Sequence, residues 1–139
     1  MAISAALREV IIERDKHRCR YCLTSEYNCG LQMHVDHIIP EAKGGPSTPD
    51  NLCAACFSCN THKQAKSYAV DPLTGFTSNL FHPLQQDWQE HFAWDEMKTR
   101  VVSLTACGRA TIAALAMNNE TVVRARRRWV EGGWHPPTE

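Results

Sequence analysis

The sequence predicts a small α+β domain pinned by a bound zinc ion, and three observations point to it. Two C-x-x-C pairs, Cys19 with Cys22 and Cys56 with Cys59, supply four thiolates. Met33 to Ile39 (MHVDHII) alternates and carries β-branched residues, as a strand does, and stops at Pro40. Segments on either side place apolar residues at helical spacing. A chain of 139 residues has room for one modest core, or for a motif with helical additions, and not for two independent cores.

Taken in order, Ser4 can cap a first helix whose Leu7, Val10 and Ile11 form one buried stripe and which ends near His17. The first cysteine pair follows at once, then a polar loop from Thr24 to Gly30 and the strand before Pro40. Glu41 to Asp50, with Gly44-Gly45-Pro46, reads as a loop leading to a short second strand over Asn51 to Cys53. The second cysteine pair opens a helix expected from about Ser58 to Tyr68, and Asp71-Pro72-Leu73-Thr74-Gly75 closes it as a turn. Leu80 to Trp94 reads as a loop followed by a short aromatic helix or strand. Ala110 to Trp129 reads as a helix interrupted at Asn118-Asn119, and Gly132-Gly133 with Pro136-Pro137 stops it. The division expected is a core over residues 1–75 and a C-terminal extension over 76–139 that packs on it and carries a basic helix.

The chain holds seven cysteines, a number that would suggest a secreted disulfide scaffold if they were evenly spread and even in count. Their clustering favours metal instead, since a C-x-x-C turn delivers two thiolates to one tetrahedral ion without backbone strain. Cys53, Cys56 and Cys59 are evenly spaced, so either neighbouring pair could bind. Cys56 and Cys59 are preferred because Cys53 follows Asn51-Leu52 in the expected strand and would point away from them. Cys29, Cys53 and Cys107 read as small apolar residues.

No stretch approaches the roughly 20 apolar residues that cross a bilayer, and MAISAALREV runs into charge without a signal-peptide core, so a soluble, cytoplasmic protein is expected. The net formal charge of zero gives no blanket argument for a polyanionic partner, but the distribution is uneven. Arg100 to Arg128 holds six arginines against the single acid Glu120, after an acidic stretch containing Asp87, Glu90, Asp95 and Glu96.

Between the cysteine pairs lies Val35-Asp36-His37-Ile38-Ile39-Pro40. Hydrolysis of a phosphodiester needs an activated water and a stabiliser for charge on the phosphoryl and leaving oxygens. Asp36 can hold a hard divalent ion, His37 titrates near neutrality and can take a proton from water, and Asn60 offers a carbonyl oxygen as a second ligand.

The run DHIIP, then GG, then Asn51-Leu52, then C-x-x-C-N at Cys56 to Asn60, and Lys63, resembles the HNH endonuclease family over roughly residues 17 to 66. The resemblance implies a ββα-metal (HNH/His-Me finger) domain with flanking helices, zinc-stabilised. It implies that His37 is the general base, that Asp36 and Asn60 hold the catalytic ion, and that Asn51 braces the loop and orients the histidine. The last histidine of the family name is here Asn60, a replacement also found among family members. Implied cofactors are structural Zn2+ and a catalytic Mg2+ or other divalent ion, and the implied partner is nucleic acid, double-stranded DNA.

Around that motif, His62 and Lys63 could meet a phosphate, and Arg124, Arg126, Arg127 and Arg128 could grip the backbone or simply cap a solvated helix end. His34 reads as strand-exposed, His82 and His91 as structural, and Trp129 and Trp134 as packing residues. A non-catalytic zinc-finger module that binds nucleic acid or protein is the alternative, although it has no need to group Asp36, His37 and Asn60. A redox protein would want one reactive pair near a βαβ pattern, and neither is seen.

Overall fold

The computed structural model describes residues 3–138. The architecture is α+β: among the described residues, six short α-helices, two 3-10 turns and three separate two-stranded antiparallel sheets. Among the described residues, no helix is long and apolar enough to cross a membrane.

Helix α1 spans Ala5–Arg14, and Ser4 Oγ caps it by accepting from Leu7 N–H. Its buried stripe is Ile11 and Ile12, while Val10, expected to face inward, is exposed. The end of α1 is tied to the next layer through Asp15, a buried carboxylate that accepts from Ala54 N–H and from the Arg14 and Arg20 guanidiniums. Arg14 in turn donates to the carbonyls of Pro49 and Leu52. These bonds fix α1 against the strand pair at the centre of the molecule.

That pair is β1, His34–His37, and β2, Leu52–Ala55, antiparallel with Asp36 opposite Cys53 and His37 opposite Leu52. The second strand thus begins one residue later than expected, because Pro49–Asn51 winds as a 3-10 turn. Short helix α2 covers Glu26–Cys29. Helix α3 covers Phe57–Lys63, five residues short of the expected end at Tyr68, because Gln64 turns into positive φ and the chain leaves as a strand. Strands β3, Tyr68–Val70, and β4, Thr77–Asn79, make a hairpin around the expected Asp71–Gly75 turn. Asp71 anchors this turn by accepting from Leu73 N–H, Thr74 Oγ1 and a bidentate Arg109.

The aromatic segment holds both of the elements expected as alternatives: α4 at Trp88–His91 and β5 at Phe92–Trp94, which pairs with β6 at Val101–Ser103. The interrupted C-terminal helix is two helices, α5 at Ala106–Ala114 and α6 at Glu120–Glu131, and Asn119 caps the second through its side chain. The C-terminal segment touches the cysteine-bearing segment directly: Trp88 Nε1 donates to Tyr21 O, Arg20 to Pro83 O, and Asn119 Nδ2 to Ser58 Oγ. Trp129 is buried as expected for packing, whereas Trp134 is largely exposed and lies over Gly132.

The loop from Pro40 to Thr48 has one tight point. A Cβ on Gly45 would stand 1.8 Å from Ile39 O and 2.8 Å from Asn51 Nδ2, atoms that hold the end of β1 in place. Gly45→Ala is therefore expected to destabilise the fold by at least about 2 kcal/mol. A urea melt reads this, and an unchanged midpoint would contradict the packing described.

Candidate functional site

Two knuckles bring four thiols together. In the first, Cys19 N–H donates to Thr24 O and Leu23, at φ 66°, turns the chain so that Cys22 N–H meets Cys19 Sγ at 3.5 Å. In the second, Cys56 is the N-cap of α3, its sulfur accepting from Cys59 N–H at 3.4 Å. The four Sγ atoms lie within 4.8 Å of one another, all buried, and Cys22 and Cys56 approach to 3.6 Å. A tetrahedral Zn–S bond of about 2.3 Å requires sulfurs about 3.8 Å apart, so the cluster fits structural zinc. Cys53 sits in β2 and does not join it.

The electrostatics point the same way. Hydrogen bonds from Cys19, then from Cys56 and Cys59, hold Cys22 well below the ordinary thiol value, while burial lifts Cys19 and its neighbours lift Cys59. Four thiolates cannot coexist here without a cation.

Even with Zn2+ the site keeps a net double negative charge, and the nearest compensation comes from an unexpected residue. Arg126, read from sequence as part of a basic surface cluster, is 0% exposed. Its guanidinium donates to Thr99 O, Met117 O and Asn118 Oδ1, its Nε has no partner, and it shares a cavity of about 10 Å3 with Cys22, Cys56 and Cys59. Burial lowers its pKa and the charge on Cys22 and Cys59 opposes that.

The hairpin above the knot carries the polar constellation. Adjacent residues of a strand point to opposite faces, and Asp36 and His37 do so. Asp36 turns inward, where Oδ2 accepts from Tyr21 Oη at 2.8 Å and lies 3.0 Å from Lys63 Nζ. Burial raises its pKa, with the Lys63 charge and the Tyr21 hydroxyl opposing. Lys63, expected at a phosphate, is instead 1% exposed: its ammonium also donates to His37 O and Ile38 O, clamping α3 onto the end of β1. That corrects the surface reading, and the reason is spacing, since Lys63 falls on the inner face of α3.

His37 turns outward, its side chain 14% exposed, with Nε2 at 2.9 Å from Ser47 Oγ and 3.3 Å from Glu41 Oε1. Nε2 is thereby engaged, and Nδ1 has no partner among the described residues. Asn51 holds the chain just beyond: Oδ1 accepts from Ile39 N–H, and Nδ2 donates to Ile39 O and Pro46 O. Asn60, three residues before Lys63, shares its face of α3 and makes no side-chain hydrogen bond among the described residues. Asp36 and Asn60 are the oxygen donors a hard divalent ion takes, and a lone pair remains on Asp36 Oδ1, but an ion there would share the carboxylate with Lys63.

The remaining candidates scatter. His62 is exposed, its Nδ1 2.8 Å from Ser58 O. Arg124 and Arg127 are exposed on the outer side of α6, whose Val122, Ala125 and Trp129 border a groove against α3. Arg124 makes only a 3.4 Å contact to Glu120. His34 packs beside Phe57, His91 is held by Gln86 and Thr105, and His82 accepts from Leu84 N–H. Tyr21, Glu41 and Ser47 were missed by sequence reasoning. Glu41, four residues after His37, was the legible signal among them.

Arg126→Met is expected to weaken zinc binding about 10- to 100-fold, as removal of an outer-shell partner does. Competition with a chromophoric chelator measures it, and an unchanged affinity would remove Arg126 from the account of the knot.

Comparison with known proteins bears on the same segment. No curated protein and no solved structure matches the chain. One family model does: residues 19–66, from the first knuckle cysteine through β1, β2 and α3, match the HNH endonuclease family.

Proposed function

We propose that the chain is a metal-dependent endonuclease that hydrolyses phosphodiester bonds in double-stranded DNA, with His37 as general base. The observation that carries this reading is the state of the imidazole. Nε2 is held by Ser47 and Glu41, which fixes the ring and the tautomer, and leaves Nδ1 as the open acceptor. A water at Nδ1 gives up its proton there as its oxygen attacks phosphorus. The bond from phosphorus to the leaving 3′ oxygen breaks and that oxygen takes a proton from solvent, while Glu41 offsets the charge that the ring gains. Asn51 keeps this geometry by fixing Ile39 on both its N–H and its C=O.

Asp36 and Asn60 are the residues that would hold Mg2+ or another divalent ion, whose chemistry is to neutralise charge on the phosphoryl and leaving oxygens. The exposed His62, Arg124 and Arg127 contribute phosphate contacts without sequence information. Lys63 acts from inside, by holding Asp36 and the carbonyl of His37.

A second reading, a zinc module that binds nucleic acid without cutting it, draws support from one observation: the Asp36 carboxylate is already engaged by Lys63 and Tyr21. Plasmid cleavage separates the two. Wild type and His37→Ala, loaded with equal zinc, are incubated with supercoiled DNA with Mg2+ or Mn2+ and with neither. Nicking or linearisation by wild type, dependent on the added ion and slowed about 100- to 10,000-fold in the variant, is expected. Binding without cleavage by both proteins would leave the non-catalytic module as the better account.

A further inference from the structure

Next to the catalytic strand lies a cavity that the nuclease reading does not use. It has a volume of about 460 Å3, within the range of small-ligand sites, and its walls include Ile38, Ile39, Lys63, Asn79, His82 and Gln85. Ile38 and Ile39 are the two residues that follow His37. At 3.8 Å per residue, the wall begins within about 7 Å of the histidine along the backbone.

The chemistry of the walls is selective. Lys63 is the one charged residue among the lining, and its ammonium is consumed by Asp36, His37 O and Ile38 O. The side-chain amides of Asn79 and Gln85 make no hydrogen bond to any described residue, and each offers a donor and an acceptor. His82 accepts from Leu84 N–H at Nδ1, which leaves Nε2 as the donor, and burial lowers its pKa. Neutral donors and acceptors without a free cation suit a planar polar ring and not a phosphate.

We infer that this cavity is a base-reading subsite, which takes the nucleobase adjoining the phosphate held at His37 and recognises its edge through Asn79, His82 and Gln85. The inference rests on the nuclease reading for its substrate, and it adds a source of sequence preference that the exposed arginines do not give. The base is turned out of the stack and unpaired while it is held, since a pocket that takes one planar ring does not admit a base pair.

The test is a titration of the 139-residue His37→Ala chain, 15N-labelled and zinc-loaded, with a single-stranded oligodeoxynucleotide of about eight residues. A second arm uses the same strand with abasic sites, which keeps the phosphates and loses the bases. Resonances of Ile38, Ile39, Asn79, His82 and Gln85 are expected to shift with the first strand and not with the second. Gln85→Ala and His82→Ala in the same background are each expected to weaken binding about tenfold. Equal shifts from both strands, or no shift at Asn79, His82 and Gln85, would overturn the subsite. Plasmid cleavage by wild type alongside that result would leave the nuclease reading intact, and shifts confined to the base-bearing strand without any plasmid cleavage would do the reverse.

Discussion

The arrangement depends on four buried cysteines whose thiolates need a cation between them. Cys19 and Cys22 close the turn after α1, while Cys56 and Cys59 open α3, so one ion held by all four would join two segments separated by the whole β1–β2 hairpin. A short hairpin is at best marginally stable in water, and four-residue strands need an external clamp. The knot supplies that clamp at the hairpin's two ends, and Asp15, bonded to Ala54 N–H and Arg20, supplies a second. Arg126 extends the device into the C-terminal segment, since a guanidinium buried beside thiolates ties α6 to the same charge balance.

Strand β1 inherits its order from this frame. Its two chemically distinct faces follow from the period of a β-strand: Asp36 goes inward to a buried cation, and His37 goes outward to a hydroxyl and a carboxylate. A buried ion pair of this kind contributes little net stability by itself, and removing one partner would leave the other charge unpaired. Its value is geometric. Lys63 reaches three acceptors around residues 36 to 38, so the pitch of α3 against β1 is set at the point where the histidine emerges.

Much of this was legible in the sequence because it is local. The four-cysteine cluster, the Ser4 cap, the strand stopped by Pro40 and the turn at Asp71 each follow from residue type and spacing over a few positions. What was not legible depends on distant partners. The premature end of α3 follows from the positive φ of Gln64, a residue type that gives no warning of it. Lys63 and Arg126 are charged residues that composition places on the surface, and only tertiary contacts with Asp36 and with the cysteines explain their burial. The paired state of Asp36 was hidden for the same reason, since Tyr21 and Lys63 lie 15 and 27 residues away.

The most direct test of the central claim is the coordination of the metal in the protein as purified. Elemental analysis with zinc X-ray absorption is expected to give one zinc per chain with four sulfur neighbours at about 2.3 Å. A zinc shell containing nitrogen or oxygen, or a folded chain without zinc, would contradict the four-thiolate knot as the constraint that places His37.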